Sequence, residues 1–533
     1  MFAPFRTNPL LWGLSLALVL FASLFSRPDI PIDETRYLSV AWEAWRGGDW
    51  LVMHMNGQPY HHKPPLLFWL IGLGWSVLGV NDWWPRAISA ISSFACVLLT
   101  AQIARRLWPE RQQVPAAAGW LLLSGAYWLL FSTSVMFDVL LTVFTLLALL
   151  GLLDVRQHGG WRGWLWCGLA FGFGVLAKGP FVLLFVVPVA VLGPWWGGER
   201  TRGKAWWRGL IAAGALGGAI ALLWVVPAAI LGGEEFRNAI LWRQVAGRVT
   251  GELAHRQPAW FYILAAFVLF LPLALSRQAW LAGIWQARKT TDSGTRFLIS
   301  WMLPAFVALS LSGGKQLHYI LPLWPAMALM LAAGWEQIET RGHRALVLLP
   351  LIVAGVGAAL LVFPLWVGNY WFAAYAGPSW TWGGGALVGL AILLVIASWR
   401  HADRLPAILA TFSMAVTAVL LLAVVRPFSP TFDMTPMATR LRQLEQQGTE
   451  LVHVSAYNDQ YHFYGQLERP LTQIGREELD AWFVQHPESR AMVYLKNPAE
   501  VAKLDADFSQ PYLSGAVALI DARSAKLWSA VKK

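Results

Sequence analysis

Charge is what this sequence has least of. Of its 533 residues only 13% are Asp, Glu, Lys or Arg, against about 25% in an average soluble domain, which excludes an ordinary soluble globular protein. Cysteine is scarce too. Cys96 and Cys167 both fall inside apolar stretches, so neither a disulfide framework nor a cysteine-based metal knuckle can be read. There is no Walker loop, no GxGxxG opening a helix after a strand, and no Ser-His-Asp signature. ATP-driven chemistry and nucleotide-sugar use on the cytoplasmic side therefore lack a visible site. The apolar run 8–25 has neither a basic n-region nor a clear small-residue cleavage site, and it is read as a retained first helix rather than a signal peptide.

What is present is hydrocarbon. Hydrophobic residues make up 57% of the chain, and apolar runs near the length that crosses a core of ~30 Å recur through the first 425 residues. The runs are continuous rather than alternating, which excludes a β-barrel and predicts an α-helical polytopic membrane protein. Candidate spans are 8–25, 86–104, 114–134, 138–154, 163–177, 180–195, 209–231, 260–276, 297–312, 319–335, 345–366, 384–399 and 405–425. The net charge of +11 resides in short loops between these runs, a topogenic pattern that points to membrane lipids and not to nucleic acid.

The loops richest in Lys and Arg are 105–113, 200–208, 277–296 and 400–404, and the positive-inside rule places them in the cytoplasm. The apolar stretch 66–80 breaks this arrangement if it crosses, because every later basic loop then flips outward. It is therefore expected to lie along the interface as an amphipathic juxtamembrane helix. About 13 crossings result, with the N-terminus inside and the segment after 426 outside. This places 27–63, Asp138, the Lys178-Gly179-Pro180 turn, 232–259 and 313–318 on one outer face. After 426, a helix-like stretch (435–447) and strand-like runs at 450–457, 490–495 and 515–521 indicate a small α/β domain. The expected organisation is a transmembrane catalytic domain over 1–426, with juxtamembrane helices in the outer loop 27–84, and a soluble α/β domain over 427–533.

Asp33 and Glu34 are read either as a solvated pair capping the helix 35–46 or as functional carboxylates. Asp138 stands alone beside an apolar stretch, where an ionised carboxylate must be paired or line a wet cavity. Carboxylates from separate loops at one face suit a general base and its support, or a cation site. Lys63 precedes Pro64-Pro65, which rigidly presents an ammonium suited to a lipid phosphate. Lys178 resembles it, and snorkelling is the alternative for both. The stretch 237–262, with Arg237, Arg243, Arg248, His255 and Arg256, carries positive charge on the outer side and asks for an anionic partner. Lys315, His318 and Tyr319 lie on a Gly-hinged loop. None of the outer histidines pair at i, i+4 on a helix or in a CxxC frame, which gives little support for a metal.

At "PIDETRY", "PYHHKPPLLFWL", "SVMFDVLLTVF", "GVLAKGPFVLL" and "GGKQLHYILPLWP" the chain resembles the GT-C glycosyltransferases that use polyprenyl-phosphate-linked sugars, a superfamily that also includes protein mannosyltransferase-like enzymes. It is most similar to the branch of lipid A 4-amino-4-deoxy-L-arabinose transferases. The resemblance implies a GT-C helical bundle with a small C-terminal α/β periplasmic domain, in the bacterial inner membrane. It implies an inverting sugar transfer from undecaprenyl phosphate to a lipid A-type acceptor at the periplasmic face. Another sugar, or a glycan or protein hydroxyl acceptor, is the first alternative. The second is a polytopic lipid or glycan transporter, but transporters place polar residues near the midplane on repeated helices, and here charge gathers at one face without a repeat.

By this resemblance Asp33 is the principal catalytic carboxylate and Asp138 the second. Arg36, Tyr37, Tyr60, Lys63, Tyr319 and Arg256, or another basic residue of 237–262, would bind substrate, with Lys63 on the lipid-linked phosphate; Glu34, Lys178, His255 and Lys315 are further substrate-binding candidates from the reading of the outer face itself. One departure concerns cofactors. His62 stands where the family usually has a Glu associated with a metal position. No cofactor is required by this reading, and a divalent metal ion at His62 and His255 is the one left open.

Overall fold

The computed structural model describes residues 8–243, 256–335, 348–365, 375, 377–401 and 404–531. Eight helices among the described residues are long and apolar enough to cross a membrane, as expected of a multi-pass membrane protein. The shorter apolar helices Val114–Leu123, Phe181–Val191 and Leu348–Val362 fall within further expected spans. The expected span 260–276 is interrupted: helix Phe261–Leu269 gives way to a 3-10 turn, Leu273–Leu275, at Pro272, which has no amide to continue the ladder.

The first helix, Pro9–Ser26, shows how the sequence sets orientation. Asn8 caps it by accepting from the Leu11 amide, with Pro9 at the first helical position. Trp12, Leu16 and Val19 are buried, whereas Leu14, Leu18, Phe21 and Phe25 form an exposed apolar stripe suited to lipid.

Glycines bring the central helices close. Helices Phe137–His158 and Arg162–Lys178 form an antiparallel hairpin in which Gly151 and Gly163 face each other. A Cβ at Gly151 would meet the Gly163 carbonyl oxygen at 2.6 Å, and the reverse contact would be 2.5 Å. This is small-residue packing of the kind membranes favour. It puts Asp138, at the start of one helix, beside Lys178, at the end of the next.

Basic loops collect at the opposite end of the hairpin. Arg106 donates to Asp154 at 2.9 Å and to Gln157 at 3.1 Å, Arg200 donates to the Gln157 carbonyl, and Arg296 donates to the Trp195 carbonyl at 3.2 Å. The 22 residues of Phe137–His158 span roughly 33 Å at 1.5 Å per residue. Asp138 and this basic end are thus separated by about one hydrocarbon thickness.

At the Asp138 end the outer loop folds into two helices, Asp33–Gly47 and Leu66–Leu78, joined through a hairpin in which His54–Met55 pairs with Gln58–Pro59. With 13 residues, Leu66–Leu78 reaches only about 20 Å, short of a crossing. A C-terminal mixed sheet packs over this layer. Its strand order is Thr472–Ile474, Leu451–Val454, Arg490–Leu495, Gly515–Ile520, Phe508–Tyr512; the first three are parallel and the rest antiparallel. Trp75 stacks on Phe463 with centroids 5.5 Å apart, and the Phe463 amide donates to Ser39 at 3.1 Å.

Four buried charges fasten the loop that leads into Asp33. Arg27 donates to Glu34 at 2.5 Å, to the Thr133 carbonyl at 3.2 Å and to Ser134 at 2.9 Å. Glu34 also accepts from the amides of Ile30 at 2.9 Å and Val135 at 2.7 Å. Arg86 donates to Asp29 at 2.7 Å and to the Arg27 carbonyl at 3.0 Å, and Tyr464 donates to Asp29 at 2.5 Å. Glu34 is therefore engaged as a fastener, not on the face where Asp33 lies, because adjacent helical residues point about 100° apart. Removing one partner leaves buried charge uncompensated. Glu34→Gln is expected to lower stability by about 3–5 kcal/mol, whereas Asp33→Asn, at an exposed ion pair, changes it by less than about 1 kcal/mol. Unfolding of the detergent-solubilised variants checks both.

Candidate active site

The site begins with Asp33, exposed at the first turn of helix Asp33–Gly47. Arg36, one turn on, forms an ion pair with it. Such an i, i+3 pair is a natural helix-surface contact. The Arg36 guanidinium lies 5.5 Å from the centroid of the Tyr37 ring. Tyr37 is buried and packs edge-on against Phe137, centroids 4.9 Å apart. Burial pushes its phenol well above the usual range, so it stays protonated and acts as a polar wall, not as a base.

Lys63 arrives from the other side of the same aromatic layer. Its ammonium is 5.8 Å from the Tyr37 centroid and 5.5 Å from that of Phe137, a cation held over two ring faces. Pro64 and Pro65 follow it and restrict the backbone that presents it. Tyr60 is buried nearby, with its ring 6.2 Å from Phe68 and 5.3 Å from His62. His62 itself is exposed and lies against His61, centroids 4.4 Å apart.

Asp138 and Lys178 form a buried ion pair, each side chain no more than 2% exposed. Lys178 ends its helix at Gly179, whose φ of +71° needs a residue without a Cβ. Its ammonium also sits 5.0 Å from the Tyr319 centroid and 5.5 Å from that of Phe181. Lys63, over the ring of the adjacent Phe137, and Lys178 thus bring two lysine ammoniums to one buried carboxylate, leaving an excess of positive charge at this end of the bundle.

That excess opens onto a cavity of about 550 Å³ lined at its polar end by His61, His62, Lys63 and Lys178, and elsewhere by apolar groups such as Leu184, Val225 and Leu309. An anionic head with a hydrocarbon chain matches both halves. Tyr319 lines the cavity too. Lys315 is buried and donates to the carbonyls of Gln257, at 2.8 Å, and Ser312, which fastens the 312–319 loop to the segment at Arg256. Arg256 is exposed and pairs by backbone with Gly314. His255 lies outside the described residues. The structure thus brings Asp33, Arg36, Tyr37, Tyr60, Lys63, Asp138, Lys178 and Tyr319 into one contiguous layer. Glu34 and Lys315 are committed to holding loops.

A metal at His62 finds little to hold it among the described residues: its ring neighbours are His61 and Tyr60, and no cluster of three ligand-capable side chains forms there. The sequence reading missed Arg27, Asp29 and Arg86, which position Asp33 from beneath. It also missed Phe181 and Trp224 on the cavity wall. The only signal for the first three was that they are charges flanking apolar runs, which topology alone already explained.

The ion pair generates a test. Asp138→Asn and Lys178→Met each strand a buried partner and are expected to cost about 3–5 kcal/mol. The double variant should be more stable than either single one, which a double-mutant cycle on unfolding midpoints reads directly.

Comparisons with known proteins bear on the family and the fold. The family described as dolichyl-phosphate-mannose-protein mannosyltransferase matches residues 62–230. An undecaprenyl phosphate-α-4-amino-4-deoxy-L-arabinose arabinosyl transferase of Pseudomonas fluorescens (strain ATCC BAA-477) is 30% identical over 412 residues, 74% of this chain and 67% of the relative. A second from P. fluorescens (strain Pf0-1) is 33% identical over 66% of this chain and 65% of the relative. One from P. aeruginosa (strain UCBPP-PA14) is 33% identical over 57% and 55%. The match to these last two therefore spans less than two thirds of their length. The crystal structure of ArnT from Cupriavidus metallidurans bound to undecaprenyl phosphate superimposes with a TM-score of 0.75, covering 96% of this chain and 97% of that one at 20% identity. That likeness shows the fold, the GT-C bundle expected from the sequence.

Proposed function

This chain belongs to the family of undecaprenyl phosphate-α-4-amino-4-deoxy-L-arabinose arabinosyl transferases, and we propose that it is an inverting membrane glycosyltransferase that moves a sugar, 4-amino-4-deoxy-L-arabinose, from undecaprenyl phosphate to a lipid A phosphate. The observation that carries this reading is the pairing of Lys63 and Lys178 at the head of an apolar-walled cavity. A polyprenyl phosphate, an anion on a long hydrocarbon, matches both halves.

The chemistry follows from charge. An acceptor oxygen attacks the anomeric carbon, the bond from that carbon to the donor phosphate oxygen breaks, and undecaprenyl phosphate departs. The phosphodiester becomes a monoester and gains one negative charge as the bond breaks. Cations already in place over Tyr37 and Phe137 stabilise that charge where it develops and need not reorganise. A phosphate acceptor is already anionic, so Asp33 with Arg36 serves to orient it. A hydroxyl acceptor would instead need Asp33 as general base.

The proposed setting is the bacterial inner membrane, with the N-terminus cytoplasmic and the site and the C-terminal region (427–533) periplasmic. The gathering of Arg106, Arg200 and Arg296 at the far end of the bundle supports that orientation. With purified protein, undecaprenyl-phosphate-linked donor and lipid A, mass spectrometry should show one added aminoarabinose. Asp33→Asn and Lys63→Ala should each reduce transfer at least ~100-fold. Full transfer by either folded variant would contradict the assignment.

A further inference from the structure

The mixed sheet of the C-terminal region ends in a second cavity, of about 600 Å³, separate from the one at Lys63. It lies where sheet topology favours a ligand. From strand Leu451–Val454 the chain passes to the edge strand Thr472–Ile474, whereas from strand Arg490–Leu495 it passes the other way, to the opposite edge strand Phe508–Tyr512. Connections that part in this manner leave a crevice at the carboxyl ends of the two parallel strands, where open α/β sheets bind their ligands. Ser455, directly after the first strand, and Tyr494 and Lys496, at the end of the second, line this cavity together with Arg476, Tyr512 and Trp528.

The charge of the crevice has one sign. Arg476 and Lys496 line it, and no carboxylate is among the described residues that do. The Arg476 guanidinium lies 4.3 Å from the Trp528 centroid, a contact that holds the cation without neutralising it.

The wall is fixed in advance. His453 Nδ1 donates to the Ser455 carbonyl at 3.0 Å, so its Nε2 accepts from the Tyr494 hydroxyl, also at 3.0 Å. The Tyr494 oxygen in turn accepts from Gln460 at 2.8 Å and lies 3.0 Å from the Tyr461 hydroxyl. Ser455 holds a φ of +88°, a conformation that persists only where its surroundings over-determine it and that collects at ligand sites. At the rim, the Leu513 amide donates to the Thr431 carbonyl at 2.8 Å, on the connection that leaves the last membrane-spanning segment. The crevice therefore opens at the end of the sheet nearest the bundle.

We propose that this crevice binds a phosphorylated sugar, with its phosphate on Arg476 and Lys496 and its ring among Ser455, Tyr494 and Tyr512. Two cations suit a phosphomonoester. Hydroxyls and aromatic rings suit the polar edge and the apolar face of a sugar, and the volume is that of a small-molecule site, far larger than a phosphate ion needs. Such a group arrives either free in solution or as the head group of a membrane lipid. The site stands apart from the reaction at Asp33 and does not rest on it.

The test uses full-length protein in detergent carrying Lys63→Ala, which weakens the phosphate site of the other cavity and removes transfer from the readout. It is titrated by calorimetry with glucosamine 1-phosphate and, separately, with bisphosphorylated lipid A in the same micelles. Glucosamine 1-phosphate should bind at one equivalent. Arg476→Gln and Lys496→Gln should each weaken it about tenfold, the loss of one charge-assisted contact. Both side chains are exposed, so both variants should keep the parent's unfolding temperature. Lipid A binding that weakens in the same variants supports a lipid head group as the source; lipid A binding that ignores them supports a soluble sugar phosphate. No binding of either ligand, binding of both that neither variant diminishes, or inorganic phosphate held as tightly as glucosamine 1-phosphate would each overturn the proposal.

Discussion

Everything at the active end rests on charges that touch no substrate. Arg27, Glu34, Asp29 and Arg86 are each at most 4% exposed, and burial alone would drive both carboxyls toward neutrality. For Glu34 the nearby Arg27 and Arg86 outweigh burial and hold its carboxyl below the usual range; for Asp29 burial wins over Arg86 and the carboxyl is raised. The four are tolerable only because their contacts are shared across several elements. Through them the loop 27–32, helix Trp83–Leu107, the 133–135 turn before Asp138, and Tyr464 of the C-terminal region are held as one unit. Buried pairs of this kind contribute specificity of position more than net stability.

Position is what the proposed chemistry needs. Sugar transfer between two lipid-borne phosphates has little for a side chain to do covalently. It requires a carboxylate and cations fixed before the charge develops, in a place from which bulk water is largely displaced. Aromatic faces serve that end at Lys63 and Lys178, because a ring attracts the ammonium without neutralising it. Asp138 tempers Lys178, so the two lysines are not equivalent: one is braced by a carboxylate, the other by Tyr37 and Phe137.

The broad plan was legible in the sequence because lipid imposes simple rules. Uninterrupted apolar runs, arginine-rich short loops and the lone Asp138 led to the helical bundle and to one chemically capable face. What escaped was long-range. Nothing local says that Asp138 pairs with a lysine 40 residues on, or that Glu34, unlike its neighbour Asp33, turns inward to Arg27. Arg476 and Lys496 read as solvated charges of a small domain until the fold brings them to one crevice. In the sheet, the expected strands at 450–457, 490–495 and 515–521 are present as Leu451–Val454, Arg490–Leu495 and Gly515–Ile520. Strands Thr472–Ile474 and Phe508–Tyr512 lie at its two edges; one is very short and the other holds Pro511, which an edge tolerates and a pattern search discounts.

The account stands or falls on where the lipid phosphate rests. A structure of this protein with undecaprenyl phosphate bound would measure that directly. The account predicts the phosphate within salt-bridge reach of Lys63, beside Lys178, with the first isoprene units along the wall of Leu184, Val225 and Leu309. A phosphate held at the exposed Arg256 with the chain outside this cavity would contradict it.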